Sequence, residues 1–185
     1  MNGKEITPNT LWLIMLMAVS AAGAVCGALY GGSETGEMLI SYRTHAPLAE
    51  LILTSFRGCF IITAVCFLLG FSAAGQPFEA IVPFFFGTGV GTAAAELYSS
   101  AGMFPALVLI LPGAAAASAA VAVAARESMR MSLAVCRRAF SKGDYSPADI
   151  RLYFQKFLII TAMSAAAALI DGGGAVLYSL LCKRG

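Results

Sequence analysis

The sequence predicts an all-α integral membrane protein, a bundle of about five transmembrane helices in a single domain over residues 1–185. Three observations carry this. Hydrophobic residues make up 59% of the chain and charged residues 12%, against roughly 45–50% and about 25% in globular domains. A soluble fold would lack the polar surface to enclose so much apolar mass. The apolar residues gather into runs of the length that crosses a bilayer, about 20 residues each. The basic residues gather in one segment, between the fourth and fifth runs.

The first run, Leu11 to Tyr30, holds no charge. It exceeds the 7–15 residues usual for the apolar core of a signal peptide, and Glu5 offsets Lys4 before it, so a retained helix is expected. Gly23 and Gly27 give it a GxxxG face. The second run, Leu48 to Gly70, carries Arg57. The third, Ala80 to Leu97, holds Pro83, Gly87, Gly89 and Gly91 and ends beside Glu96. The fourth, Met103 to Ala125, is interrupted by Pro112 and Gly113, and the fifth, Phe157 to Cys182, carries Asp171 followed by Gly172, Gly173 and Gly174. In lipid no hydrophobic drive pushes helices together, so small residues serve by letting backbones approach. Interrupted helices also line substrate sites in transporters. Both readings remain open at this level.

The basic residues set the expected topology. Arg126, Arg130, Arg137, Arg138, Lys142, Arg151 and Lys156 outweigh Lys183 and Arg184 at the opposite end. The segment 126–156 is therefore expected in the cytoplasm, with the N-terminus inside and the C-terminus outside. The outer segment Gly31 to Pro47 then sets Glu34 and Glu37 against Arg43. Arg126 to Lys142 is expected to continue from the fourth span as a helix at the membrane surface. Met129, Leu133, Cys136 and Phe140 form one stripe, and Arg126, Arg130 and Arg137 form a second that reaches the headgroups. This hairpin serves as a connector that fixes orientation or as a docking site for a partner. Gly143 fits a C-cap. Ser146-Pro147-Ala148-Asp149 starts a new helix, with serine as N-cap, proline at the first helical position and a carboxylate in the first turn.

Three ionisable residues need explanation: Arg57, Glu96 and Asp171. A charge at mid-bilayer costs about 2.5–3.5 kcal/mol on insertion scales, so such groups pair or face water. The topology places all three at similar depth, as an Arg–carboxylate clamp between helices or as part of an ion or proton pathway. Elsewhere the chemistry is sparse. His45 is the one histidine, in the outer segment, and is expected to be solvated. The five cysteines form no CxxC pair and read as small hydrophobes. Walker, HExxH and GxGxxG motifs are absent, so no enzyme, cofactor or metal site is expected. Positive-inside bias accounts for the basic segment without nucleic acid.

Several segments are more specific. Leu68-Leu69-Gly70-Phe71-Ser72-Ala73-Ala74-Gly75-Gln76-Pro77 is followed by Pro83-Phe84-Phe85-Phe86-Gly87-Thr88-Gly89-Val90-Gly91. Leu109-Ile110-Leu111-Pro112-Gly113 and Ala124-Ala125-Arg126-Glu127-Ser128 come next. This pattern, a GxSxxGxP turn before a glycine-rich helix, resembles the stage II sporulation protein M family. The resemblance is strongest from Phe67 to Ser132. Family members often carry a basic residue where this chain has Phe86. The resemblance implies a non-enzymatic membrane scaffold for a peptidoglycan-remodelling complex in forespore engulfment, with stage II sporulation proteins D and P as partners. The reading from the residues alone keeps a second option, a small permease or channel subunit built on the glycine- and proline-broken helices.

Overall fold

The computed structural model describes residues 8–31, 36–140 and 147–182. Among these residues there are seven helices and no strands. They are α1 (Pro8–Tyr30), α2 (Gly36–His45), α3 (Leu48–Leu69), α4 (Gln76–Ala101), α5 (Met103–Leu109), α6 (Leu111–Phe140) and α7 (Pro147–Cys182). α1, α3, α4 and α7 are each long and apolar enough to cross a membrane, and α5 with α6, bent by 44°, is a candidate fifth span. The chain is thus a multi-pass membrane protein.

Side-chain pairings fix the order in space. Ser55, Cys59 and Phe67 of α3 meet Asp171, Ser164 and Tyr153 of α7, so these helices are antiparallel. Ser20 and Ala24 of α1 lie against Gly87 and Gly91 of α4, so those two are parallel. The starts of α1, α4 and α7 therefore gather with the ends of α3 and α6 at one end, here the basal end. α2 lies at the other.

The bundle is small inside and large outside. α6 is the central column, packed on α1, α3, α4 and α7; its Ala120, Val121, Ala122, Ala124 and Ala125 are buried. Leu53, Ile61, Leu68, Phe85, Leu158 and Ile159 are exposed. With lipid as solvent, large apolar side chains gain nothing by turning inward, and small ones let helices approach.

Breaks follow local chemistry. α5 ends before Ile110, and Pro112 occupies the first turn of α6, where a missing N–H costs nothing. Gly102, at φ 86°, makes the turn between α4 and α5 that an L side chain would strain. Pro83 sits inside α4 without interrupting it. α2 holds Glu37 in its first turn and Arg43 and His45 in its last, the arrangement that suits a helix dipole.

The structure differs from the sequence expectations in several places. The outer segment, in which no helix is expected, contains α2. The third span extends to Gln76–Ala101, whereas α7 starts at Pro147, the helix start expected there, and runs on into the fifth span. Arg126 to Phe140 continues the fourth span as a helix, as expected, but stays beside α7, to which Glu127 ties it through Lys156 Nζ at 2.6 Å. At 1.5 Å per residue, the 30 residues of α6 and 36 of α7 reach about 45 and 54 Å, beyond the roughly 30 Å of hydrocarbon. Side by side, the two helices are longer than the hydrocarbon is thick. Lys142, Gly143 and Ser146 lie outside the described residues.

Candidate functional site

Two sides of α4 differ. Toward α1, Gly23, Gly27, Gly87 and Gly91 form a closed seam. A Cβ on Gly23 would meet the Phe84 carbonyl, and one on Gly27 the Thr88 carbonyl. A Cβ on Gly87 would meet the Ser20 carbonyl, and one on Gly91 the Ala24 carbonyl. Spacings of four on both helices keep these residues on one face each. Beyond them Thr92 Oγ1 donates to the Gly27 carbonyl at 3.4 Å, and Gly36 at the start of α2 lies against Glu96 and Ser100.

Toward α3, the same glycine run opens. α3 and α4 are consecutive yet touch little of each other. Between them lies a cleft of about 350 Å³. Gly58 and Gly89 face it from either side, and a Cβ on either would meet nothing within 4 Å. Phe85 and Phe86 line it from α4, and Gly113, Ala117 and Ala167 from α6 and α7. Gly58, Phe85 and Gly89 are exposed, so the cleft opens sideways, toward lipid.

An ion pair stands at the α2 end of the cleft. Arg43 Nη1 donates to Asp171 Oδ1 at 2.9 Å and also bonds the Leu109 carbonyl. Ser55 Oγ donates to Asp171 Oδ2 at 2.5 Å. A Cβ on Gly113 would stand 2.5 Å from Asp171 Cβ and Oδ1, so glycine there makes room for the pair. The Leu109 carbonyl belongs to the last turn of α5, where the span bends. In transporters such carbonyls bind ions; here a guanidinium occupies it.

The expected clamp of Arg57 with Glu96 or Asp171 is therefore replaced. Asp171 takes Arg43. Among the described residues Arg57 and Glu96 make no ion pair; Arg57 is exposed on α3 and Glu96 half-buried on α4. Arg43 escaped sequence reading because it lies outside the apolar runs. Its one signal was being the cation of the outer segment.

A second polar cluster, also missed, holds the basal end. Glu127 accepts from Arg126 Nη2 at 2.6 Å and Lys156 Nζ at 2.6 Å, and Arg130 Nη1 lies 3.5 Å away. Glu79, fully buried in the first turn of α4, takes Ser128 Oγ at 2.7 Å, and its Oε2 has no partner among the described residues. Tyr153 donates to the Phe67 carbonyl at 3.0 Å, and Ser132 to the Ser72 carbonyl at 2.7 Å. A Cβ on Gly70 would run into the Tyr153 hydroxyl, and one on Gly75 into the Leu69 carbonyl. The glycines of the GxSxxGxP turn thus serve close approach, since both have negative φ. Gln76 and Pro77 begin α4. Arg137 is exposed farther along α6, and Arg138 half-buried.

His45, at the end of α2, is exposed, with Nδ1 3.0 Å from the Ser41 carbonyl. All five cysteines are free thiols, and Cys59 and Cys66 are buried.

No curated protein and no solved structure matches the chain. A family model described as "Stage II sporulation protein M" matches residues 10–173. That stretch runs from the first turn of α1 past Asp171 and takes in seam, cleft and basal cluster alike, and on it the chain belongs to the stage II sporulation protein M family.

Proposed function

We propose that this chain is a non-enzymatic membrane scaffold that seats a transmembrane helix of a partner in the cleft between α3 and α4. The observation that carries this reading is the open glycine pair, Gly58 and Gly89, facing a lipid-side cleft in a bundle whose other small-residue seam is already filled. In lipid, glycine faces are where helix backbones come close. Family membership supports the process proposed, in which the scaffold holds a peptidoglycan-remodelling complex during forespore engulfment with stage II sporulation proteins D and P as its partners. The basic basal end lies in the cytoplasm, by positive-inside bias.

In a sporulating host, deleting the protein is expected to stall engulfment after the polar septum forms, with proteins D and P no longer gathered there. Gly89→Leu is expected to insert normally yet recover little of either partner. Normal engulfment and normal partner placement in the deletion strain would sink the reading. Flux of an ion or small solute through vesicles holding this protein alone would move the function to a permease. For orientation, after removal of the native cysteines, Thr35→Cys is expected to react with an impermeant thiol reagent in intact cells and Ser146→Cys to resist it. The reverse pattern would invert the topology.

A further inference from the structure

A groove at the basal end shares Arg126 and Arg130 with the cluster around Glu127 and adds residues of α1 and α4. It lies between the starts of α1 and α4 and one face of α6, with a volume of about 640 Å³. From α6 it is lined by Arg126, Met129, Arg130, Leu133 and Arg137. These positions follow i, i+3, i+4, i+7 and i+11, so they fall on one face at 3.6 residues per turn. Trp12 of α1 closes one side and is half exposed, at 53%.

The charge is unbalanced. The groove holds two positive charges, Arg126 and Arg130, beside the Glu127 carboxylate, which Lys156 of α7 also neutralises, and among the described residues no carboxylate lines the groove itself. Arg137, exposed and without an ion pair among the described residues, adds a third. The Arg130 side chain is 54% exposed, so it has freedom to turn to a new acceptor. Guanidinium groups bind phosphate in forked geometry. The apolar residues alternate with the arginines on that face, and a tryptophan beside them marks the headgroup level. A soluble anion would use the charges and leave Trp12, Met129 and Leu133 idle. An amphiphile uses both.

We infer that this groove is a binding site for a phospholipid with an anionic headgroup, its phosphate held by Arg130 and Arg137 and the upper part of its acyl chains against Trp12, Met129 and Leu133. The inference is independent of the partner cleft and of which way the protein faces.

Trp12 is the one tryptophan in the chain, so its fluorescence reports on this groove alone. The full protein, reconstituted in phosphatidylcholine vesicles, is titrated with phosphatidylglycerol or phosphatidylcholine brominated on the acyl chains, in both leaflets. Brominated phosphatidylglycerol is expected to quench Trp12 with a preference on the order of tenfold. In Arg130→Gln/Arg137→Gln that preference is expected to fall to about one, while quenching by brominated phosphatidylcholine stays unchanged and reports normal insertion. Should the double variant not insert, Arg137→Gln at its exposed position is expected to lower the preference by about fivefold. Moving the reporter to the far end of α1, with Trp12→Phe and Leu29→Trp, is expected to abolish the preference. Equal quenching by the two lipids, or equal preference at both ends of α1, would overturn the site. Loss of the preference on adding inorganic phosphate would assign the groove to a soluble anion instead.

Discussion

α4 carries three glycines within five residues, and its two sides use them in opposite ways. Gly87 and Gly91 face α1 so closely that a single carbon on either would strike backbone carbonyls. Gly89, 200° around the helix from Gly87 at 100° per residue, faces a cleft and would meet nothing. The two sides also differ in polar content. The seam toward α1 is held by backbone approach and a single threonine hydroxyl, whereas the cleft toward α3 ends in an ion pair that bridges α2 and α7 and reaches the end of α5. One side is finished by the chain itself. The other is left open, with Gly58 and Gly89 facing empty space, and is the side proposed to receive a partner's helix. In lipid a glycine face alone does not tell an internal contact from an external one, because both are made by the same backbone approach.

The comparison can be broken most severely at the seam. Gly91→Leu is expected to abolish recovery of folded, monodisperse protein on size exclusion, because the obstructing atoms are backbone of α1 and cannot turn aside. Even Gly91→Ala is expected to cost about 1–3 kcal/mol, the usual range for overpacking, read as lowered thermal stability in detergent. A native melting curve for Gly91→Leu would refute the seam.

The next largest effect lies at the end of the cleft. Arg43 and Asp171 are 20% and 12% exposed, so removing one charge is expected to cost about 3 kcal/mol, the low end for a buried pair. A double-mutant cycle with Arg43→Gln and Asp171→Asn is expected to show coupling of about 1–3 kcal/mol. The same cycle with Arg57→Gln and Asp171→Asn is expected to be additive within about 0.5 kcal/mol. Coupling to Arg57 as large as that to Arg43 would restore the clamp expected from the sequence.

The smallest effect is the sharpest test of the difference. Gly58→Ala and Gly89→Ala are expected to lose no stability and to gain up to about 1 kcal/mol, the helix preference of alanine over glycine where a Cβ meets open space. A loss at Gly89→Ala as large as at Gly91→Ala would mean that the cleft is already filled by the chain.

Much of the fold could be read from the chain. A membrane span announces itself through length and hydropathy, which are local properties, and proline at positions 112 and 147 marks helix starts for equally local reasons. α2 was missed because its ten residues include Glu37, Arg43 and His45 and show no apolar run. The continuation of α6 was legible as a helix but not in its direction, since nothing in residues 126–140 says whether a helix turns along the membrane or stays beside α7. Lys156, 29 residues farther on, decides that through Glu127.

The site divides in the same way. Sequence by itself determined an all-helical chain with about five candidate spans and which residues carry charge within them. It did not determine azimuth, the direction each side chain faces around its helix relative to its neighbours. Ser55 and Arg57 are two residues apart and therefore about 200° apart on α3. Once Ser55 faces Asp171, Arg57 faces away, and a cation from outside the spans completes the pair. Gly87 and Gly89 divide by the same geometry between a sealed seam and an open cleft. A span follows from counting along one chain, but facing is set by where other helices stand, and only the packed bundle supplies that.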